Sequence, residues 1–342
     1  MRDRDITTPG VVIGSPTTTS VERDHRWAIV LAGGNGTRLG SLTRDERGCI
    51  VPKQFCSLLG DRSLPGRSLL GDAMLRAAAL APEQQILVVV TSEHEEYWRR
   101  EFGNDSSRLV VQPQNRGTTT GVLLPLLTVM QRDPGAVVTL LPSDHFVADE
   151  WTLAEALRAA RRAAVAEPNR VILLGIEPDS VETDYGWILP ERAVGPQCDT
   201  TAATLPITAF VEKPDRATAT ALWARGAVWN SFLVVAQAAA MLELYRRRLP
   251  AMLRAFAAAH DTSPSDLSSL YAHMNASDFS RHVLAGSAQQ LGVRIAPACG
   301  WTDLGTPERV ARCLATMGPH GSGPRTGTQQ NLAGMAQQRV PS

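Results

Sequence analysis

The sequence predicts a doubly wound α/β domain built around a mostly parallel sheet. Short, continuously apolar runs recur along the chain: WAIVLA from Trp27, ILVVVT from Ile86, AVVTLL from Ala136 and RVILLG from Arg170. Such runs suit strands covered on both faces. Helical patterns lie between them, and this alternation favours helices packed on a sheet over an all-β or all-α plan. Several polar motifs follow an apolar run directly, and sheets of this kind bind ligands at the carboxyl ends of their strands.

Three further strand candidates complete the set: RLVVQ at Arg108, ITAFVE at Ile207 and SFLVV at Ser231. The best-marked helix covers residues 152–166. Thr152 and Glu155 are spaced for a capping box. Leu153, Ala156, Leu157, Ala160 and Ala164 form its apolar stripe, with Arg158, Arg161 and Arg162 facing water. A second apolar and basic stretch, residues 241–254, packs either against the core or against another subunit, which leaves a homo-oligomer open.

The chain has 342 residues, 44% hydrophobic and 20% charged, the balance of an ordinary globular protein of one large or two smaller domains. Its 34 Lys and Arg equal its 34 Asp and Glu, which argues against a general nucleic-acid surface but not against a small phosphate pocket. Cys49, Cys56, Cys198, Cys299 and Cys313 form no CxxC pair, so thiols in a reducing cytoplasm are expected rather than zinc or disulfides. No run approaches the ~18 apolar residues of a membrane helix. The first 25 residues lack the apolar core of a signal peptide, so a cytoplasmic protein without a membrane partner is expected. Residues 1–25 and 318–342, rich in Thr, Pro, Ser, Gly and Gln, read as a disordered extension and tail around one domain at 26–317.

The polar motifs carry the chemistry. After the first apolar run comes LAGGNGTRLGSLT, residues 31–43. Gly33, Gly34 and Gly36 let backbone amides approach an anion, Arg38 adds a charged contact, and a helix starting just beyond would present free N–H groups. A ligand-free tight turn is the plain alternative. The dinucleotide spacing GxGxxG fails, because Gly34 and Gly36 are followed by Leu39, with Gly40 one residue late. No Gly-Lys-Ser/Thr ends the loop, so a Walker site fails too. VPKQF (51–55) sets Lys53 in a fixed loop between Pro52 and Gln54, suited to a triphosphate. By itself it would read as a surface lysine.

In VVQPQNRGTTTG (110–121), Gln112 and Asn115 offer the paired donors and acceptors that read a base edge. LLPSDH (140–145) ends a buried run with Asp144, which either holds Mg²⁺ or caps a turn. His145 is a poorer match for that cation. ETDYGWI (182–188), FVEKP (210–214) and VWNSF (228–232) bring Glu212 and Asn230 for sugar hydroxyls and Lys213 for a second phosphate. Asp303 in GWTDLGTPERV (300–310) completes a magnesium clamp with Asp144, or stands as another cap.

In this order and spacing, LAGGNGTRL, PKQF, QPQNRGT, PSDH, VEKP and WNSF resemble the bacterial mannose-1-phosphate guanylyltransferases, within the wider sugar nucleotidyltransferases, over residues 27–317. The resemblance implies a Rossmann-like, GT-A-like α/β/α sandwich. It also implies a Mg²⁺-dependent transfer of GMP from GTP to mannose 1-phosphate, with pyrophosphate released. By the same resemblance, Gly33, Gly34, Gly36, Thr37 and Arg38 form the triphosphate loop and Lys53 serves the α-phosphate. Gln112 and Gly117 meet the base, Asp144 and Asp303 the magnesium. Glu212, Lys213 and Asn230 hold the sugar phosphate, and Gly186 contacts the sugar. Three departures stand out. Phe232 replaces the glycine of WNSG, Thr119 and Thr120 replace Ala-Pro after QPQNRGT, and GWTDLGTPERV is followed by neither an isomerase domain nor a hexapeptide repeat.

Overall fold

The computed structural model describes residues 24–58, 67–191, 203–260 and 264–317. Cys198, the expected tail and all but the end of the expected N-terminal extension lie outside the described residues.

The apolar runs become strands. They are β1 (Arg26–Leu31), β2 (Ile86–Thr91), β3 (Leu109–Gln112), β4 (Val137–Pro142), β5 (Val171–Ile176), β6 (Gly186–Pro190), β7 (Leu205–Glu212), β8 (Val228–Gln237) and β9 (Leu291–Ile295). They form one sheet in the order β3-β2-β1-β4-β8-β5-β9-β7-β6, with β8 also paired to β6. Neither β6 nor β9 stands out as an apolar run, because Gly186, Pro190, Gly292 and Arg294 interrupt the pattern.

The helices are α1 (Leu69–Ala78), α2 (Glu95–Phe102), α3 (Thr118–Arg132), α4 (Glu150–Ala166), α5 (Arg216–Ala224), α6 (Ala238–Arg248), α7 (Pro250–His260), α8 (Pro264–Ala272) and α9 (Pro307–Met317). Alternate side chains along β1 explain the layering. Trp27 and Ile29 join a core with Leu123, Leu126, Met241, Tyr245, Phe256 and Tyr271, from α3, α6, α7 and α8. Ala28 and Val30 join the opposite core with Leu70, Trp98, Leu153 and Leu157, from α1, α2 and α4. Helices therefore cover both faces, and the α/β/α sandwich is borne out.

Three details differ from expectation, and one alternative left open is decided. The sheet is more mixed than a mostly parallel one. Strands β3, β2, β1 and β4 run parallel, but β8 enters antiparallel to both β4 and β5. Continuous apolarity reports burial on both faces, not strand direction, so it could not distinguish these. Helix α4 starts earlier than the capping box implied. Asp149 is its cap, accepting from the Thr152 amide at 3.0 Å, while Glu155 pairs with Arg158. No long helix follows the glycine-rich loop, only a 3₁₀ turn at Thr37–Leu39. Gly40 and the Arg44–Ile50 bridge carry the chain away instead. Finally, the 241–254 stretch buries Met241, Leu244 and Tyr245 against the core. No helix among the described residues is long and apolar enough to cross a membrane.

Candidate active site

The carboxyl ends of β1, β3 and β4 open onto a cavity of about 640 Å³ lined by Gly33, Gly34, Arg38, Gln112, Gly117, Asp144, Gly186, Glu212, Lys213, Asn230 and Asp303. Eleven of the fourteen expected site residues thus share one space, and Gly36, Thr37 and Lys53 lie beside it.

Side chains from later motifs fix the glycine-rich loop. Gln54 Nε2 donates to the carbonyls of Ala32 at 2.8 Å and Gly34 at 2.9 Å. Asn115 Nδ2 donates to Gly33 O at 3.0 Å, while its Oδ1 accepts from the Gly117 amide at 2.9 Å. Asn115 therefore ties two segments together rather than presenting a free edge. Gly36 has φ +61°, and a Cβ there would sit 2.8 Å from Lys53 Cβ, so its role is to let the Lys53 turn pack underneath. Arg38 is exposed, with Nη1 3.4 Å from Asp184.

Lys53 is 4% exposed and sits in a 3₁₀ turn, Lys53–Phe55, that follows Pro52. Its ammonium donates to Asp144 Oδ2 at 3.2 Å and also to the backbone carbonyl of Asp303. One cation thereby joins the two carboxylate-bearing segments. Burial pushes the Asp144 carboxyl up, but the Lys53 ammonium, the neighbouring His145 and hydrogen bonds together outweigh it, and the group lies below its ordinary range. Trp301 Nε1 donates to His145 Nδ1 at 3.2 Å, and burial pushes this imidazole down to about 4, so it is neutral near pH 7.

Asp303 is held by residues outside the expected set. Its Oδ1 accepts from Tyr185 OH at 2.9 Å and the Gly305 amide at 2.9 Å, and Arg309 Nη1 lies 3.1 and 3.2 Å from its two oxygens. Arg309 also pairs with Glu182 at 2.6 Å and stacks 4.3 Å above the Tyr185 ring. Both Tyr185 and Arg309 lie within quoted motifs, but neither spacing nor pattern marks them. The donor set fits Mg²⁺. Two carboxylates flank the cavity, and that cation commonly takes one or two carboxylates plus phosphates and water. Among the described residues, no cluster of three or more His, Cys, Asp or Glu forms a fuller cage.

The far end of the cavity is built from β6, β7, β8 and the segment before a π-helical turn at Ser280–Leu284. Gly186 pairs with Glu212, and a Cβ at Gly186 would lie 2.6 Å from Glu212 Oε2. The Asn230 amide reaches Ser280 Oγ at 3.5 Å and its Oδ1 accepts from the Phe232 amide at 3.2 Å. Among the described residues, the non-glycine residues with positive φ are Lys213, Phe232 and Leu304, at +48°, +60° and +49°. Each directly follows or closely neighbours a cavity residue. Such backbones cost on the order of 1–3 kcal/mol each and cluster where function over-determines them. Asp278 and Arg281, on the same wall, come from a segment the sequence reading left unassigned.

Burial, with the Asp278 charge adding to it, raises the Glu212 carboxyl to about 7 against the opposing pull of Lys213 and Arg281. A raised acid binds its proton more tightly in the folded state, so stability falls as pH rises from the unfolded value near 4.5 towards 7. Glu212→Gln removes this loss. The variant is expected to gain on the wild type between pH 5 and pH 7.5 by about 1–3 kcal/mol, read from urea unfolding at both values. A wild-type-to-variant gap that does not change with pH refutes the raised carboxyl.

A family model described as nucleotidyl transferase matches residues 27–316. Xanthan biosynthesis protein XanB of Xanthomonas campestris pv. campestris is 34% identical over 229 residues, 66% of this chain and 44% of XanB. Mannose-1-phosphate guanylyltransferase 2 of Escherichia coli O157:H7 is 29% identical over 231 residues, 65% of this chain and 45% of that protein. The chain spans less than half the length of these two curated relatives. A solved structure from Thermus thermophilus, described as a mannose-1-phosphate geranyltransferase, superposes with a TM-score of 0.71 at 31% identity, covering 85% of this chain and 80% of its own. With a family model spanning nearly the whole of the described domain, and the polar motifs gathered at one set of strand ends, the chain belongs to the nucleotidyl transferase family.

Proposed function

We propose that this protein is a sugar-1-phosphate nucleotidyltransferase that moves GMP from GTP to mannose 1-phosphate and releases pyrophosphate. The observation that carries the reading is the buried Lys53 ammonium beside the cavity, which donates to the Asp144 carboxylate and to the Asp303 backbone carbonyl. The glycine loop lies at one end of this cavity and Glu212 with Asn230 at the other. The identity of the relatives supports the choice of GTP and mannose 1-phosphate.

The chemistry needs no general base. A phosphate monoester with a second pKa of about 6 is largely dianionic at neutral pH, so its oxygen attacks the α-phosphorus in line as pyrophosphate leaves. The protein aligns two polyanions and neutralises the charge that develops between them. Arg38, with the amides of Gly33, Gly34, Gly36 and Thr37, holds the triphosphate. Lys53 stabilises the α-phosphate, Lys213 holds the sugar phosphate, and Glu212, Asn230 and Gly186 bound the sugar. Gln112 and Gly117 meet the base. Mg²⁺ at Asp144 and Asp303 supplies a Lewis acid and template when bound.

Phe232 favours a second acceptor reading, because this residue lines the cavity from a left-handed backbone beside Asn230, with its ring edge-on to Phe279. Another hexose, a heptose or a cyclitol phosphate would leave the reaction unchanged. Pyrophosphate release is measured with Mg²⁺ and mannose 1-phosphate, supplying GTP, ATP, UTP, dTTP and CTP separately. Release with GTP is expected. Turnover only with a different acceptor overturns mannose and keeps the reaction. Silence with every pair overturns the enzyme and leaves a non-catalytic relative.

A further inference from the structure

The two oxygens of the Asp303 carboxylate are used very differently. Oδ1 accepts from the Tyr185 hydroxyl at 2.9 Å, the Gly305 amide at 2.9 Å and Arg309 Nη1 at 3.1 Å. Among the described residues, the hydrogen-bond partner of Oδ2 is that same Arg309 nitrogen, shared at 3.2 Å. Each carboxylate oxygen offers about two accepting lone pairs. Oδ1 is therefore filled by its donors, while Oδ2 keeps room for a further partner. Of the three donors, Tyr185 lines the cavity, whereas Gly305 and Arg309 lie outside its lining.

Tyr185 directly precedes β6 and is 7% exposed. Its ring stands edge-on to Trp229 and Trp301, with centroids 5.0 and 5.7 Å away, and lies beneath the Arg309 guanidinium. Arg309 is tied in turn to Glu182, on the segment that carries Tyr185. The phenol is thus fixed by packing. Facing an ionised carboxylate, which only accepts, its hydroxyl can only donate.

A cation reaching Asp303 from the cavity consequently meets one open oxygen. Coordination by both oxygens would force the Tyr185 hydroxyl off Oδ1 and leave a buried donor unpaired. Mg²⁺ demands near-octahedral geometry with short bonds to single oxygens. Ca²⁺ takes more oxygens in a looser shell, often both from one carboxylate. Resting on the reading of Asp303 as a metal carboxylate, we propose that Tyr185 is a positioning residue that sets cation choice. By occupying Oδ1, its hydroxyl confines Asp303 to one-oxygen coordination and favours Mg²⁺ over Ca²⁺.

The test titrates Mn²⁺, the paramagnetic substitute for Mg²⁺, into the full chain saturated with GTP, follows water-proton relaxation, and then displaces the Mn²⁺ with Ca²⁺. The readout is the ratio of the two affinities, not turnover. Tyr185→Phe keeps the packed ring and removes only the hydroxyl. It is expected to lower the Mn²⁺-to-Ca²⁺ ratio by about tenfold, the lower end of what replacing an outer partner of a metal ligand does. A role in stability alone would lower the unfolding midpoint and leave the ratio unchanged where the variant is folded, which would overturn the proposal. Asp303→Asn separates this failure from that of the reading beneath it. If Asp303→Asn leaves Mn²⁺ binding at the wild-type level, Asp303 is no metal carboxylate and the proposal falls with that reading. If it weakens Mn²⁺ binding while Tyr185→Phe keeps the ratio, the proposal falls alone. A lowered ratio in Tyr185→Phe without pyrophosphate release from any pair would sink the transferase reading and leave the Tyr185 assignment standing.

Discussion

Lys53→Ala is expected to lower the rate of pyrophosphate release by on the order of 10²–10³, the usual loss when one preorganised charge-stabilising group is removed. The size follows from the surroundings of Lys53. The ammonium is buried beneath the cavity and already touches Asp144 and the Asp303 carbonyl, so it does not have to reorganise as charge develops at the α-phosphate. Its removal also leaves the Asp144 carboxylate without that cation, which repels an incoming triphosphate. Lys53→Arg is not expected to rescue the rate, because a longer, planar guanidinium enclosed at this buried position cannot reproduce the point contacts of the ammonium with Asp144 and the Asp303 carbonyl. Steady-state assays with circular dichroism as the folding control check this. A loss below about tenfold, near 1.4 kcal/mol, would sink the assigned role.

The parts of this site that were legible in the sequence are those where one short segment contains both the strand and the residue it delivers. Leu31 to Gly33, Val111 to Gln112 and Pro142 to Asp144 each join the end of a strand to the site residue it delivers, and the strand-end rule carries them to one place. What was not legible depends on distant partners. Tyr271 reaches Gln112 across 159 residues, and Arg309 reaches Glu182 across 127. No local periodicity encodes such contacts. The glycine loop shows a subtler difference. Its glycines were read as making room for an anion, yet Gly36 makes room for Lys53 and Gly33 keeps the Gln112 amide open. Each requirement for a small residue comes from another motif. Strand direction was hidden for a similar reason, because β8 is as apolar as a parallel strand would be while pairing antiparallel.

The two carboxylates assigned to Mg²⁺ each hold a buried cation, so replacing either by its amide is expected to cost stability as well as rate. Asp144→Asn removes a carboxylate whose partners are Lys53 and, at 3.9 Å, His145, and whose side chain is 43% exposed. Losing that charge leaves the Lys53 ammonium, 4% exposed, with the Asp303 carbonyl and a neutral amide, so a loss of about 1–3 kcal/mol in stability is expected together with a rate lower on the order of 10²–10³. Asp303→Asn has two effects. Asp303 accepts from Tyr185, the Gly305 amide and Arg309, and the Arg309 side chain is only 8% exposed. Removing one partner of a buried pair costs about 3–5 kcal/mol when the remaining charge is stranded. Here Glu182 still holds Arg309 at 2.6 Å, so a smaller loss of about 1–3 kcal/mol is expected. The rate should fall as far as in Asp144→Asn. The deciding readout is independent of turnover: Mn²⁺ titrated against the nucleotide-bound protein and followed by paramagnetic relaxation. Both variants should lower the unfolding midpoint, and both should weaken Mn²⁺ binding at temperatures where they are fully folded. Metal binding unchanged in both would remove the cation from these residues. If Asp303→Asn alone lost activity, and did so in step with its stability, Asp303 would be a structural anchor for Arg309 and nothing more.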